Sequence, residues 1–487
     1  MSEPETTKRL STGIAGLDEA LHGGLLPQRS YLVRGTAGTG KTTLGLHFLT
    51  AGAGNGEKSL LITLGTPESR IRLDAESVGF DLTGIPIIDL TPSPDFFANA
   101  KTYDIFSPAD VEREPITQKI IEQIEKQKPQ RVFVDAITQF RYLAGDPQQF
   151  HRQVLAFLRY LTDQQATVLL TSEYSEATPD ADLQFHCDGI INMANTEHGR
   201  TLTVSKYRGS GFQEGRSAMR ISERGLLVYP RLFPEAHHRD FTPELLSCGI
   251  AGLDEMMHGG MERGTVTLIT GPSGVGKTTL AMHFVNQAAK RGEHSVAYVL
   301  EEPLSTLTKR CESLNVPVGA MIQQGALSLM QVSPNRYMPE EFVGIVRQEV
   351  EKRKARIVVI DSLTGYRKFM RGDDLLTDMH TLCHYLQNMG VAVFLTNEVQ
   401  QIAGGFQASE HEISYVAGNI LYLRYLERRN EAGALEVGRC IGVLKKRLSD
   451  FEKTARDFQI TGAGIQGGEP IIGLRGILSS MPIVDEK

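Results

Sequence analysis

Two stretches of this chain carry phosphate chemistry. Gly35, Thr36, Ala37, Gly38, Thr39, Gly40, Lys41 and Thr42 fit the pattern G-x-x-x-x-G-K-[ST]. Gly271, Pro272, Ser273, Gly274, Val275, Gly276, Lys277 and Thr278 fit it again, 271 − 35 = 236 residues later. The glycines let backbone N–H groups turn toward phosphate oxygens, and the helix that follows adds a partial positive charge. Lys41 and Lys277 are of the length to reach the β/γ-phosphates, and the hydroxyls of Thr42 and Thr278 suit Mg²⁺. Thr43 and Thr279 open the helices that leave the loops. The ligand class implied is a nucleoside triphosphate with Mg²⁺.

A second acidic element is expected on another strand. The runs Arg131–Asp135 and Arg356–Asp361 are apolar strings ending in a carboxylate. Such a run puts one carboxylate at the carboxyl edge of a parallel sheet, where ligands bind. Asp135 and Asp361 are therefore assigned to the Mg²⁺ site. Ala297–Leu300 reads as a strand ending in Glu301 and Glu302, whose carboxylates suit deprotonation of water or a hydroxyl. The same offset lands on Gly65 and Thr66 in the first half, and Glu68 is out of register.

These residues need elements to hold them. Tyr31–Val33 and Val266–Ile269 read as buried strands entering the loops, and Thr43–Phe48 and Thr279–Phe284 as helices leaving them. The repeat extends upstream: Ser11–Glu19 reappears as Ser247–Glu255, and His22–Gly24 as His258–Gly260. A period of this length is a duplicated domain, not a solenoid. The expected fold is α/β, two tandem P-loop domains, each a mostly parallel sheet flanked by helices. A linker is expected within 229–239, rich in proline and polar residues, giving domains 1–235 and 236–487.

Net charge is −7, which argues against a dedicated nucleic-acid binder. Five scattered cysteines form no C-x-x-C pair, so they read as buried thiols rather than zinc ligands. The N-terminus is polar and acidic, and no apolar run is long enough to span a bilayer. A soluble, cytoplasmic protein is expected.

Taken together, S-T-G-I-x-G-L-D, H-G-G, the P-loop, E-E-P, the hydrophobic-plus-Asp strand and a basic K-x-R strand resemble the KaiC family of RecA-like double-domain ATPases. The resemblance covers nearly the whole chain. It implies ATP as the nucleotide and a homohexameric ring with nucleotides between protomers. It implies that Lys206 and Arg208, and Lys445 and Arg447, reach a neighbouring subunit's γ-phosphate. It also implies self-phosphorylation in the second domain, with Glu302 as general base, where Ser414 matches the family's serine and Tyr415 stands where a threonine is usual. The first half has Gln184 and Phe185 there, with no hydroxyl. Lacking the glutamate doublet, the first domain is expected to bind ATP tightly, hydrolyse it slowly and serve ring assembly. The chain ends soon after Pro482, which argues against a tail-directed activator of the KaiA type. The function expected is a Mg²⁺-dependent ATPase and Ser/Thr autokinase in signalling or timing, with partner proteins. A nucleotide-gated scaffold without phosphotransfer and a DNA-dependent motor are the alternatives. Acidic charge argues against the motor.

Overall fold

The structure is a computed structural model that describes residues 8–91, 108–144, 146–174, 180–372, 374–399, 416–429, 434–462, 464–472, 474–475 and 483–484. The chain divides into two compact units, Met1–Arg231 and Leu232–Lys487. Each is an α/β unit built on its own sheet.

In unit 1 the strands are β1 (Ser30–Gly35), β2 (Ser59–Thr63), β3 (Ile87–Asp89), β4 (Arg131–Asp135), β5 (Thr167–Glu173), β6 (Gly189–Thr196), β7 (Gly199–Tyr207), β8 (Ser217–Ser222) and β9 (Gly225–Tyr229). Their spatial order is β3-β2-β4-β5-β1-β6-β7-β8-β9. The first six run parallel, and β6 to β9 are antiparallel. Parallel strands are covered on both faces and so read as unbroken apolar runs. Side chains then alternate between two cores. Leu32, Leu60, Val132, Val134 and Leu170 enter one. Val33, Leu61, Phe133 and Leu169 enter the other.

Unit 2 repeats the plan. A short pair, β10 (Leu245–Leu246) and β11 (Met261–Glu262), precedes β12 (Val266–Gly271), β13 (Ser295–Val299), β14 (Leu327–Gln331), β15 (Ile357–Asp361), β16 (Ala392–Glu398), β17 (Asn419–Arg429), β18 (Leu435–Lys446), β19 (Arg456–Thr461) and β20 (Gly464–Pro470). The order β14-β13-β15-β16-β12-β17-β18-β19-β20 matches unit 1 strand for strand. Its two apolar cores again divide alternate residues of the same strands, Val358 and Ile360 on one face, Ile357 and Val359 on the other.

The repeated S-x-G-I-A-G-L-D string is a structural clasp. The Asp18 carboxylate accepts from the Ser11 hydroxyl (2.6 Å), the Thr12 hydroxyl (2.7 Å) and the Thr12 backbone N–H (2.8 Å). Asp254 accepts from the Ser247 hydroxyl (2.6 Å) and the backbone N–H groups of Cys248 (2.8 Å) and Gly249 (3.1 Å). Elsewhere local rules set the helices. Asp146 caps Pro147–Asp163 by accepting from the Gln149 N–H (2.7 Å), with proline at the first turn. Phe150, Val154, Leu158 and Leu161 then bury one face of that helix.

One half-buried histidine is expected to make unit 1 acid-sensitive. His47 Nε2 accepts the Leu226 N–H at 2.8 Å, which requires that nitrogen to be unprotonated. Burial lowers its pKa from 6.5 to about 4. The unfolded chain therefore binds more protons than the folded one between those two values. Stability is full above about 6.5 and is lost as pH falls toward 4, by at most about 3 kcal/mol. Thermal unfolding of wild type and His47→Gln across this range checks it. An identical pH slope in both would remove His47 as the cause.

Candidate nucleotide sites

The two loops are built alike. Each leaves the central strand of its sheet, β1 or β12, and enters a helix, Lys41–Gly54 or Lys277–Lys290. Gly38 and Gly274 have φ of 75° and 74°, a left-handed turn that an L side chain resists. A Cβ on Gly35 would lie 2.3 Å from the Met193 carbonyl oxygen, and one on Gly271 2.3 Å from that of Leu423. Glycine there is a packing requirement as well as a phosphate one. Lys41 Nζ donates to the Gly35 and Thr36 carbonyls, both at 2.9 Å. Lys277 Nζ donates likewise to Gly271 (2.9 Å) and Pro272 (2.8 Å). Burial lowers the pKa of both lysines.

Each threonine meets its distant aspartate. Thr42 Oγ1 donates to Asp135 Oδ2 at 2.7 Å, and Thr278 Oγ1 to Asp361 Oδ2 at 2.8 Å. The hydroxyl gives its proton to the carboxylate, and its lone pairs remain for a cation. The other carboxylate oxygen accepts from Thr171 in unit 1 (2.5 Å) and from Thr396 in unit 2. Desolvation raises the Asp361 pKa despite these donors. Among the described residues no three His, Cys, Asp or Glu cluster as a metal cage. Mg²⁺ needs none, since it keeps waters and phosphate oxygens as most of its ligands. The donor sets Thr42 with Asp135 and Thr278 with Asp361 fit it.

In unit 2 these groups face a cavity of about 500 Å³, lined also by Glu301, Glu302, Arg310, Glu398 and Arg439. That size suits a nucleotide. The two glutamates differ. Glu302 is held by both arms of Arg310, at 2.6 and 2.8 Å. Glu301 accepts the Ser362 hydroxyl at 2.6 Å and has Lys368 at 3.9 Å. Its charge also acts on Lys277. In unit 1, Gly65 and Thr66 occupy these places, and Glu68 pairs with Arg72 at 2.7 Å.

The K-x-R residues lie elsewhere. Lys206 sits opposite Ile190, which sits opposite Leu32, three residues before Gly35. Lys445 sits opposite Ile420, which sits opposite Leu268, three residues before Gly271. Three strand residues span about 10 Å, and both basic pairs are at the edge away from their own loop. Lys206 Nζ donates to the carbonyls of Gln184 (2.8 Å) and Phe185 (3.3 Å), and Lys445 Nζ to that of Ala417 (2.7 Å). Arg208 is 56% exposed and lies 4.0 Å from Asp188, and Arg447 is exposed. Ser414 and Tyr415 lie outside the described residues.

A family model described as ATPase: KaiC matches residues 10–232 and again 246–470. This chain belongs to the KaiC ATPase family. It is similar to the circadian clock oscillator protein KaiC of Parasynechococcus marenigrum, 27% identical over 490 residues, which is 98% of this chain and 93% of that one. KaiC of Synechococcus elongatus is 27% identical over 504 residues, 100% of this chain and 94% of its own. KaiC 1 of Synechocystis is 27% identical over 498 residues, with coverage of 99% and 93%. Both KaiC repeats thus carry the P-loop, the Thr–Asp pair and the sheet order just described. Among the described residues no helix is long and apolar enough to cross a membrane.

Two carboxylates of the KaiC repeats went unnoticed in the sequence. Glu173 ends β5 opposite Gly35, and Glu398 ends β16 opposite Gly271. Their separation is 398 − 173 = 225 residues, so a search at the fixed offset of 236 passes them by. The visible signal was a shared strand ending, Thr171-Ser172-Glu173 and Thr396-Asn397-Glu398. Arg439 on β18, a cation in the unit 2 cavity, was also missed.

Proposed function

We propose that this chain is a Mg²⁺-dependent ATPase and serine autokinase, a homohexameric ring with its reacting sites between protomers. It acts in cytoplasmic signalling or timing. One observation carries the reading: Lys277, Asp361, Thr278 and Glu301 converge on one cavity, while Lys445 and Arg447 sit at the opposite sheet edge. A basic pair so placed serves a neighbour's nucleotide. In unit 2, Lys277 holds the phosphates, Thr278 and Asp361 hold Mg²⁺, and Glu301 takes a proton from the attacking hydroxyl or water. Bound Mg²⁺ neutralises charge on the phosphates. Ser414 is the acceptor, with Tyr415 beside it. Thr42, Asp135 and Lys41 bind a second Mg-ATP in unit 1, whose neighbour supplies Arg208.

The test is incubation with γ-labelled ATP and Mg²⁺, followed by mass-spectrometric mapping, with Ser414→Ala alongside. Label on Ser414 that vanishes in the variant is the expected result. Free phosphate without covalent label would leave a ring ATPase whose output is conformational. Neither label nor phosphate would favour the scaffold, which the bare Gly65–Thr66 corner of unit 1 supports for that unit.

A further inference from the structure

In unit 1, Gly65 and Thr66 stand where unit 2 carries Glu301 and Glu302. Unit 1 does have a carboxylate nearer the loop. In both sheets β5 or β16 lies between the Asp-bearing strand and the loop-bearing strand. The strand that carries Glu301 is one place further out. The carboxyl end of β5 therefore stands between Asp135 and the P-loop, where a γ-phosphate must lie.

Side-chain direction is fixed by the strand period. Thr171 and Glu173 are two apart and share a face. The Thr171 hydroxyl reaches Asp135, so Glu173 projects to the same side, at the sheet edge. It lies in register with Gly35, and its negative charge acts on Lys41. Unit 2 repeats each feature: Thr396 reaches Asp361, Glu398 lines the nucleotide cavity in register with Gly271, and its charge acts on Lys277. Glu173 is exposed at this edge, so water has access to it.

We infer that Glu173 is the general base of unit 1, and that unit 1 hydrolyses ATP despite lacking the glutamate doublet. The Glu173 carboxylate takes a proton from water. The water oxygen bonds to the γ-phosphorus, and the bond from that phosphorus to the β–γ bridging oxygen breaks. ADP and phosphate leave, and the proton returns to solvent. This replaces the expectation of slow hydrolysis drawn from the sequence. It rests on the proposed ATPase reading.

The experiment uses the full chain carrying Glu301→Gln, which silences unit 2. Phosphate release and the nucleotide extracted from the purified protein are both measured. Adding Glu173→Gln should lower release by about 10²-fold or more and shift the extracted nucleotide from ADP to ATP. Glu173→Asp should recover part of the rate. Release unchanged by Glu173→Gln would overturn the assignment while leaving ATP binding intact. Loss of bound ATP in that variant would also overturn it, since Glu173 would then be serving Lys41 alone. A parent whose release does not fall with Lys41→Ala would overturn it equally, since unit 1 would then turn nothing over. A parent that binds no ATP at all would bring down the ATPase reading itself.

Discussion

Arg447→Ala is expected to cut phosphate transfer and release by unit 2 about 10³-fold while ATP stays bound. Lys445 and Arg447 stand at the edge of the sheet away from Gly271, because β17 and β18 run antiparallel and reverse the chain. Lys445 donates its ammonium to the Ala417 carbonyl, and Arg447 is exposed and of the length to cross to a neighbour. A guanidinium fork meets phosphate oxygens two at a time, so Arg447→Lys should restore only part of the rate. Mixing decides whether the residue acts in trans. Arg447→Ala protein keeps its loop, and Lys277→Ala protein keeps its arginine. Neither is active alone, but mixed rings contain sites with both. Recovery of activity on mixing is the expected result. No loss in Arg447→Ala would remove the residue from the reaction. A loss that mixing does not repair would place Arg447 in its own subunit's chemistry.

Sequence made the loops and the Asp-bearing strands legible because each is a local string. Three or four apolar residues ending in Asp read as a covered parallel strand with a polar end, and 131–135 and 357–361 are that. The duplicated architecture followed from a constant offset. The same constancy hid Glu173 and Glu398, which the chain places by pairing with β1 and β12 rather than by counting. The S-T-G-I-A-G-L-D string was the most visible repeat after the loops, yet its job is to bond Asp18 and Asp254 to their own turns. Repetition marks what both units need, and a unit needs a closed fold as much as a site. The position of K-x-R relative to its own loop was not legible either. It depends on the direction of a hairpin return, which period and composition do not encode.

Glu301→Gln is expected to lower unit 2 turnover about 10³-fold, and Glu302→Gln less than about tenfold. Reading the doublet from sequence put Glu302 forward as the base, since nothing separated two adjacent carboxylates. Arg310 separates them. It lies eight residues on, along the helix Leu304–Glu312, and grips both oxygens of Glu302. A carboxylate so held has one lone pair of each oxygen engaged and is turned toward the guanidinium rather than toward an attacking hydroxyl. Glu301 accepts one hydroxyl, from Ser362, which caps the helix following Asp361 and so fixes the carboxylate beside the metal-binding corner. Removing the Glu302 charge breaks a half-exposed ion pair, which is worth about 1 kcal/mol at most. Removing the Glu301 charge deletes the proton acceptor. The two variants change charge equally and differ by one position, so general electrostatics cannot produce a hundredfold gap between them. Equal loss in both would mean that the pair acts through Arg310, with Glu302 aiming that guanidinium at the nucleotide. Bound ATP in each variant, measured on the purified protein, separates a lost reaction from a lost site.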